Sequence, residues 1–152
     1  MMDKNKAIKF LKLANNMADL FSKDGQTKVG AIALEPNSFQ IKSSGYNGFP
    51  RNLEESSCRW QKPNKYNYVV HAEANMICNA SLNGVSLLNT IAVTTLYPCK
   101  ECAKLMIQSG IKTIITKTPD YSNEIWGESF KISKEMFEEL GVDVVLINED
   151  EL

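Results

Sequence analysis

The sequence predicts an α/β fold built on a five-stranded mixed sheet with helices on both faces. Three observations predict this class. The 152 residues are 43% hydrophobic and 23% charged, which suits a single domain over the whole chain with a sizeable core. Two β-type segments near the start flank a turn signal and form a hairpin. Three later β-type segments alternate with helical patterns, and right-handed strand–helix–strand crossovers favour parallel pairing among them.

The first half of the chain predicts one long helix followed by the hairpin. Asp3 can cap a helix whose apolar residues recur at three- and four-residue steps: Ala7, Ile8, Leu11, Ala14, Ala18 and Phe21. The two strands cover Val29 to Leu34 and Phe39 to Gly45, around a Glu-Pro-Asn-Ser turn. A long polar loop then runs from Gly45 to about Tyr66, and loops of this length are usually functional.

The second half alternates helices and strands. A helix carries His71 and Glu73, packs Ala74, Ile77 and Ala80 against the core, and ends at Asn83-Gly84. The segments that follow are a strand at Ile91–Leu96, a helix that starts at Pro98 and ends near Ser109, a strand at Ile111–Thr116, a helix from about Glu128 to Leu140 and a strand at Val142–Ile147.

The charge balance and the lack of long apolar runs exclude two classes of partner, polynucleotides and membranes. Lys and Arg total 17 against 18 Asp and Glu, so the net charge is −1 and the chain lacks the basic footprint of a polynucleotide-binding protein. No apolar run approaches the roughly 18 residues of a membrane span, and the start has no apolar signal core. We therefore expect an intracellular, cytoplasmic location, where a reducing environment keeps thiols free to bind metal.

Two short motifs carry the chemistry. The chain's one histidine, His71, stands two residues before Glu73, and Cys99 and Cys102 follow Pro98 at Cys-x-x-Cys spacing. One imidazole and two thiolates are three ligands of the kind that zinc prefers, with a fourth tetrahedral position left open. Cys-x-x-Cys alone also occurs in redox pairs and structural zinc sites. The combination H-x-E…P-C-x-x-C is the signature of zinc nucleobase deaminases.

Hydrolytic deamination explains why these residue types occur together. The reaction adds water to an aromatic ring carbon and expels ammonia; zinc lowers the pKa of water towards about 7, and the Glu73 carboxylate can shuttle the protons. Cys99 and Cys102 project from one face of a first helical turn, whose positive end stabilises thiolates. Cys78 is about 10 Å from His71 along the helix and cannot easily be a fourth ligand; we expect it to be a buried helix thiol and Cys58 an ordinary loop residue.

At these motifs the chain resembles the deoxycytidylate (dCMP) deaminases of the cytidine deaminase-like superfamily. The resemblance covers roughly residues 23 to 147. Within the superfamily, a Gly-Tyr-Asn-Gly loop indicates dCMP as the substrate. The matching stretches are Asp24–Ala31, Gly45–Pro50, His71–Asn75, Leu96–Lys104 and Gln108–Lys112. The resemblance implies a three-layer α-β-α sandwich and zinc-dependent conversion of dCMP to dUMP and ammonia.

The resemblance also implies binding residues and regulation. Substrate contacts fall on Asn47, Val29, the backbone at Ala72, and Tyr121, with Arg51, Ser22 and Lys23 as candidates for the 5′-phosphate. Family members are commonly homohexamers, activated by dCTP with Mg²⁺ and inhibited by dTTP. Tyr46 would face the effector, and Gly45 and Gly48 would let the loop shift. Many relatives hold a second, structural zinc, which the single histidine argues against here.

Two other functions stay open at this point. Another deaminase of the superfamily could act on dCTP, cytosine, guanine, free deoxycytidine or adenosine in tRNA, although the low basicity argues against tRNA. A zinc-scaffolded binding module without activity is a rival of a different class. Such a module would ordinarily show four protein ligands and would not need Glu73.

Overall fold

A computed structural model describes residues 1–152 and contains one five-stranded mixed sheet. The strands are β1 (Gly30–Leu34), β2 (Ile41–Tyr46), β3 (Ile91–Thr94), β4 (Thr113–Lys117) and β5 (Asp143–Ile147). Their order across the sheet is β2-β1-β3-β4-β5. Strand β1 pairs antiparallel with both β2 and β3, whereas β3, β4 and β5 run parallel. The predicted hairpin and parallel crossovers are thus confirmed.

Helices cover both faces of the sheet and give the three-layer α-β-α arrangement. They are α1 (Lys4–Phe21), α2 (Ser57–Trp60), α3 (Ala72–Leu82), α4 (Lys100–Gln108) and α5 (Gly127–Glu139), with short 3-10 turns at Asn64–Asn67 and Glu149–Glu151. Helix α1 packs on one face, while α3, α4 and α5 bury their apolar sides on the other. None of the helices combines the length and apolar character needed to cross a membrane.

Helix α1 begins where its cap predicts. The Asp3 side chain accepts a hydrogen bond from the backbone N–H of Lys6 at 2.9 Å, which satisfies one free donor of the first turn. Four of the six predicted apolar positions are buried. Phe21 is an exception, since it is 57% exposed and stacks on Tyr46 with ring centroids 5.7 Å apart. The helix end therefore lies beside the Gly-Tyr-Asn-Gly loop instead of on the core.

The connection between β2 and α3 differs from the predicted polar loop. It contains α2 and the 3-10 turn at Asn64–Asn67. Phe49 stacks on Trp60 with centroids 4.0 Å apart and also contacts Tyr68. These aromatic residues are far apart in a stretch rich in polar residues, so no periodicity marks them, yet together they form a small apolar cluster that holds the connection in place.

Two local predictions need correction, and one glycine has a packing role. Pro98 is not the first residue of α4; the helix starts at Lys100 with Cys99, in extended conformation, as its N-cap. Cys78 is exposed, not a buried thiol. Gly45 is a packing residue, because a Cβ there would lie 2.3 Å from the Met76 nitrogen and 2.4 Å from the Ala72 oxygen. Its lack of a side chain lets α3 lie directly on β2.

Candidate active site

A His-Cys-Cys group forms where the N-termini of α3 and α4 meet. His71 is the N-cap of α3, Cys99 is the N-cap of α4, and Cys102 lies in the first turn of α4. Both Sγ atoms are 3.5 Å from His71 Nδ1, and the three ligand atoms lie within 4.8 Å of one another. In a tetrahedral zinc site the usual bond lengths separate a nitrogen and a sulfur ligand by roughly 3.6 Å. The residues present therefore fit a zinc ion.

The electrostatics of this group suit a cation. The neighbouring Cys102 thiol and the contact with His71 lower the pKa of Cys99 to about 4, which favours the thiolate. The neighbouring Cys99 and burial raise the pKa of Cys102, so a metal ion that binds this sulfur would displace its proton. The contact with Cys99 raises the pKa of His71. Binding of a metal ion should therefore release protons from the protein.

Glu73 is a buried carboxylate in the same cleft. Its side chain is 4% exposed, and burial raises its pKa above the ordinary value. Its Oε1 accepts a hydrogen bond of 2.8 Å from the hydroxyl of Thr94 at the end of β3. A carboxylate whose pKa is raised towards neutrality can both take up and release a proton, which is what general acid–base catalysis requires.

A cleft opens from these residues to solvent, with about 640 Å³ of free space including the solvent at its mouth. His71, Glu73 and Cys99 all line it. Much of the remaining wall is aromatic or aliphatic, and the Trp126 and His71 rings are nearly perpendicular, with centroids 5.9 Å apart. Flat apolar walls beside a few converging polar groups suit a planar heterocycle.

Three residues predicted to bind substrate line this cleft, namely Val29, Asn47 and Ala72. Asn47 is 7% exposed and all of its side-chain hydrogen bonds are made within the protein. Tyr121 does not line the cleft; it packs behind Tyr97 with centroids 6.5 Å apart.

None of the three candidates for the 5′-phosphate lines the cleft either. Ser22 is buried and bonds to Asn47. Lys23 is exposed and paired with Glu55 at 2.5 Å.

Arg51 lies in a second cleft on the other side of the Gly-Tyr-Asn-Gly loop. This cleft has about 480 Å³ of free space and is lined by Tyr46, Gly48, Phe49, Pro50, Arg51, Asn75 and Asn79. Arg51 donates a hydrogen bond to the side-chain oxygen of Asn79. Tyr46 lines the second cleft and Asn47 the first, as the alternation of side chains along an extended segment predicts.

Sequence reasoning missed two contacts of the site. Thr94, which bonds to Glu73, looks like any other residue of a Val/Thr strand. Lys65 pairs with Asp24 at 2.8 Å, and both side chains are less than 5% exposed although they line the cleft. The two residues are 41 positions apart, and each stands in a polar stretch where a charged residue is ordinary, so no local signal marks the pair.

Comparisons with known proteins agree with this geometry. The model of the family described as "Cytidine and deoxycytidylate deaminase zinc-binding region" matches residues 4–118. A probable deoxycytidylate deaminase of Drosophila melanogaster is 41% identical over 133 residues, which is 80% of this chain and 63% of that protein. A deaminase of Aliivibrio fischeri is 35% identical over 143 residues, 90% of this chain and 92% of that protein. The chain thus spans less than two thirds of the Drosophila relative's length.

The fold recurs among solved structures. The crystal structure of the dCMP deaminase of cyanophage S-TIM5, in complex with dCMP and dUMP, superimposes with a TM-score of 0.76. The alignment covers 97% of this chain and all of the cyanophage chain, at 22% identity. At this identity the likeness supports the fold, which agrees with the predicted three-layer sandwich.

Proposed function

This chain belongs to the cytidine and deoxycytidylate deaminase family, and from that membership we propose that it hydrolyses dCMP to dUMP and ammonia with a bound zinc ion. The observation that carries the proposal is the meeting of His71, Cys99 and Cys102 in one cleft with the buried carboxylate of Glu73. Three protein ligands leave the fourth position of a tetrahedral zinc open, as catalytic zinc sites do and structural sites do not.

Zinc held by these three residues would supply a water of lowered pKa and a local positive charge. Glu73 takes a proton from the attacking water and delivers it to N3 of cytosine as the new C4–O bond forms. It then takes the proton of the new C4 hydroxyl and transfers it to the amino group, so that the C4–N bond breaks, ammonia leaves and the C4 carbonyl of dUMP remains. Burial of Glu73 excludes bulk water that would otherwise exchange these protons.

Thr94 is the positioning residue for this carboxylate. Its hydroxyl donates to Glu73 Oε1 at 2.8 Å and fixes the side chain in the cleft. We expect Thr94→Val to lower kcat about 10- to 100-fold, the usual value of a hydrogen bond to a charged group, with little change in KM. Thr116→Val is the matched control, because Thr116 is a buried strand threonine whose hydroxyl has no hydrogen-bond partner. Equal losses in both variants would mean that Thr94 acts only through packing.

An ammonia-release screen over dCMP, dCTP, deoxycytidine, cytosine and guanine tests the proposed substrate. We expect dCMP to give the highest kcat/KM. Free deoxycytidine should be much poorer, because a site that selects a nucleotide must pair the phosphate with donors. Preference for cytosine or guanine would overturn the proposal in favour of another deaminase. Zinc-loaded protein that releases no ammonia from any of them would favour the binding module.

We further propose that the enzyme is a homohexamer, activated by dCTP with Mg²⁺ and inhibited by dTTP. The second cleft supports the binding of triphosphate effectors, because it presents the Arg51 guanidinium and two asparagine amides beside Tyr46. A guanidinium pairs well with phosphate oxygens. Since Tyr46 and Asn47 are adjacent and line different clefts, one loop touches both sites.

We also propose that the protein is located in the cytoplasm, because its cysteines are free thiols, which suit a reducing compartment.

Removal of the Tyr46 ring tests this regulation. Tyr46→Ala should weaken the responses to dCTP and dTTP roughly 5- to 150-fold in apparent affinity, while turnover without effectors is largely kept. The measurement is dCMP saturation kinetics with and without each triphosphate. Phe21→Ala is the control, since it removes the ring that stacks on Tyr46 but does not line the cleft. Hyperbolic kinetics indifferent to both triphosphates in the unmodified protein would contradict regulation.

A further inference from the structure

A buried ion pair forms part of the polar wall of the cleft. Lys65 Nζ lies 2.8 Å from Asp24 Oδ2, and the two side chains are 4% and 3% exposed. Asp24, Asn47 and Lys65 all line the cleft, whereas neither charge takes part in the proton transfers assigned to Glu73. Burying two charges is costly unless their hydrogen bonds are satisfied. The way these groups share their hydrogen bonds indicates what the wall can still bind.

Asn47 has no hydrogen-bonding capacity left for a ligand. Its Oδ1 accepts from the Val29 N–H and from the Ser22 hydroxyl, both at 2.8 Å, and the hydroxyl is shared with the Asn47 backbone carbonyl, also at 2.8 Å. Its Nδ2 donates to the Thr27 carbonyl at 2.8 Å and to Asp24 Oδ2 at 3.3 Å. An asparagine side chain offers two donors and two acceptor positions, and all four are occupied. Asn47 therefore holds the wall together.

Asp24 is saturated in the same way. Its Oδ1 accepts from the backbone N–H groups of Gln26 and Thr27 at 2.9 and 3.2 Å, and its Oδ2 accepts from Lys65 and Asn47. Burial alone would raise the pKa of Asp24, but Lys65 and the two backbone donors hold it below its ordinary value. The carboxylate is charged at neutral pH, so that the Asp24–Lys65 pair is neutral as a whole.

Lys65 is the member of this wall with free donors. A lysine ammonium carries three N–H groups, and Lys65 makes one hydrogen bond within the chain, to Asp24. We propose that Lys65 binds the substrate and donates to the oxygen of the 3′-hydroxyl on the sugar. This inference rests on the proposed nucleotide substrate and adds a residue that selects the sugar.

The neutrality of the pair favours a hydroxyl over the phosphate. A phosphate dianion brought to Lys65 would also meet the Asp24 carboxylate, and burial of its charge without net positive charge is unfavourable. A sugar hydroxyl is neutral and needs only a donor. The exposed cation that lines the same cleft is Lys62, which can meet a phosphate that keeps part of its hydration.

The test measures binding, so that it does not depend on turnover. Zinc-loaded Glu73→Gln protein is titrated by calorimetry with dCMP and with 2′,3′-dideoxycytidine 5′-monophosphate. We expect the dideoxy compound to bind roughly 10- to 100-fold more weakly. Adding Lys65→Met should weaken dCMP binding by about the same factor and change dideoxy binding less than about 3-fold, so that the two nucleotides become nearly equal.

Two further variants guard against misfolding and against a general charge effect. Lys65→Met leaves Asp24 buried without its partner, so Lys65→Met with Asp24→Asn removes both charges and should also abolish the preference. Lys62→Met should keep the preference for dCMP over the dideoxy compound. Equal weakening of both nucleotides by Lys65→Met would overturn the inference, as would failure of dCMP to bind. Deoxycytidine is titrated as a third ligand, and loss of the preference for dCMP over deoxycytidine in Lys65→Met would overturn the inference by assigning Lys65 to the phosphate. Ammonia release by the unmodified enzyme tests the proposed function separately.

Discussion

Glu73→Gln should lower kcat for dCMP by roughly 10²- to 10⁴-fold and leave the zinc content unchanged. General acid–base catalysis contributes a factor of this size, and glutamine keeps the shape of the side chain while it loses the ability to carry a proton. The amide can still bond to the Thr94 hydroxyl, so the side chain should remain in place. The measurements are ammonia release and metal content on the same preparation. A variant that kept more than about a tenth of the activity would mean that another group moves the protons.

The same substitution should not weaken the fold. Because burial raises the pKa of Glu73 in the folded protein, folding favours the protonated form. The free energy of unfolding therefore falls as pH rises from the ordinary value of 4.5 through the raised pKa. Glutamine has no charge to lose, so the variant should melt at the same temperature or higher. Glu101→Gln, on the exposed surface of α4, is the control.

The metal group was predictable from the sequence because its geometry is local. Cys99 and Cys102 stand three positions apart at a helix start, and any helix beginning there brings both sulfurs to one side. His71 was predictable as the third ligand because it precedes Glu73 by two residues in the H-x-E motif. The sheet was predictable for a similar reason, since hydrophobic periodicity and turn residues report strands and helices directly. The exact ends of the elements were less predictable: α4 starts at Lys100 and not Pro98, β4 starts at Thr113 and not Ile111, and α2 lies within the predicted loop.

The wall of the cleft was not predictable in the same way. The Asp24–Lys65 pair depends on the course of the connection between β2 and α3, which the Phe49–Trp60 stack holds in place. That course decides which cations reach the cleft, and it brings in Lys65 while Arg51 stays in the second cleft. A resemblance in the motifs cannot supply this placement, because contacts between segments this far apart in sequence leave no pattern in either one.

Removal of any one metal ligand should abolish metal binding and activity together. His71→Ala, Cys99→Ala and Cys102→Ala each leave two protein ligands, and zinc held by two ligands is lost readily because the site depends on all three donors. We expect zinc to fall from about one per chain to near zero in purified protein. Turnover should fall at least as far as in Glu73→Gln, because both the polarised water and the positive charge disappear.

Controls on the other two cysteines separate ligation from general thiol effects. Cys58 and Cys78 are free and exposed, and Cys78 lies on α3 seven residues after His71. Cys78→Ala and Cys58→Ala should keep zinc and activity. The three ligand variants should also lose the rise in melting temperature that added zinc gives the unmodified protein, since a ligand that binds only the folded state stabilises it. Two tightly held zincs per chain would contradict the prediction of a single site, because the one histidine is already committed to the His71-Cys99-Cys102 group.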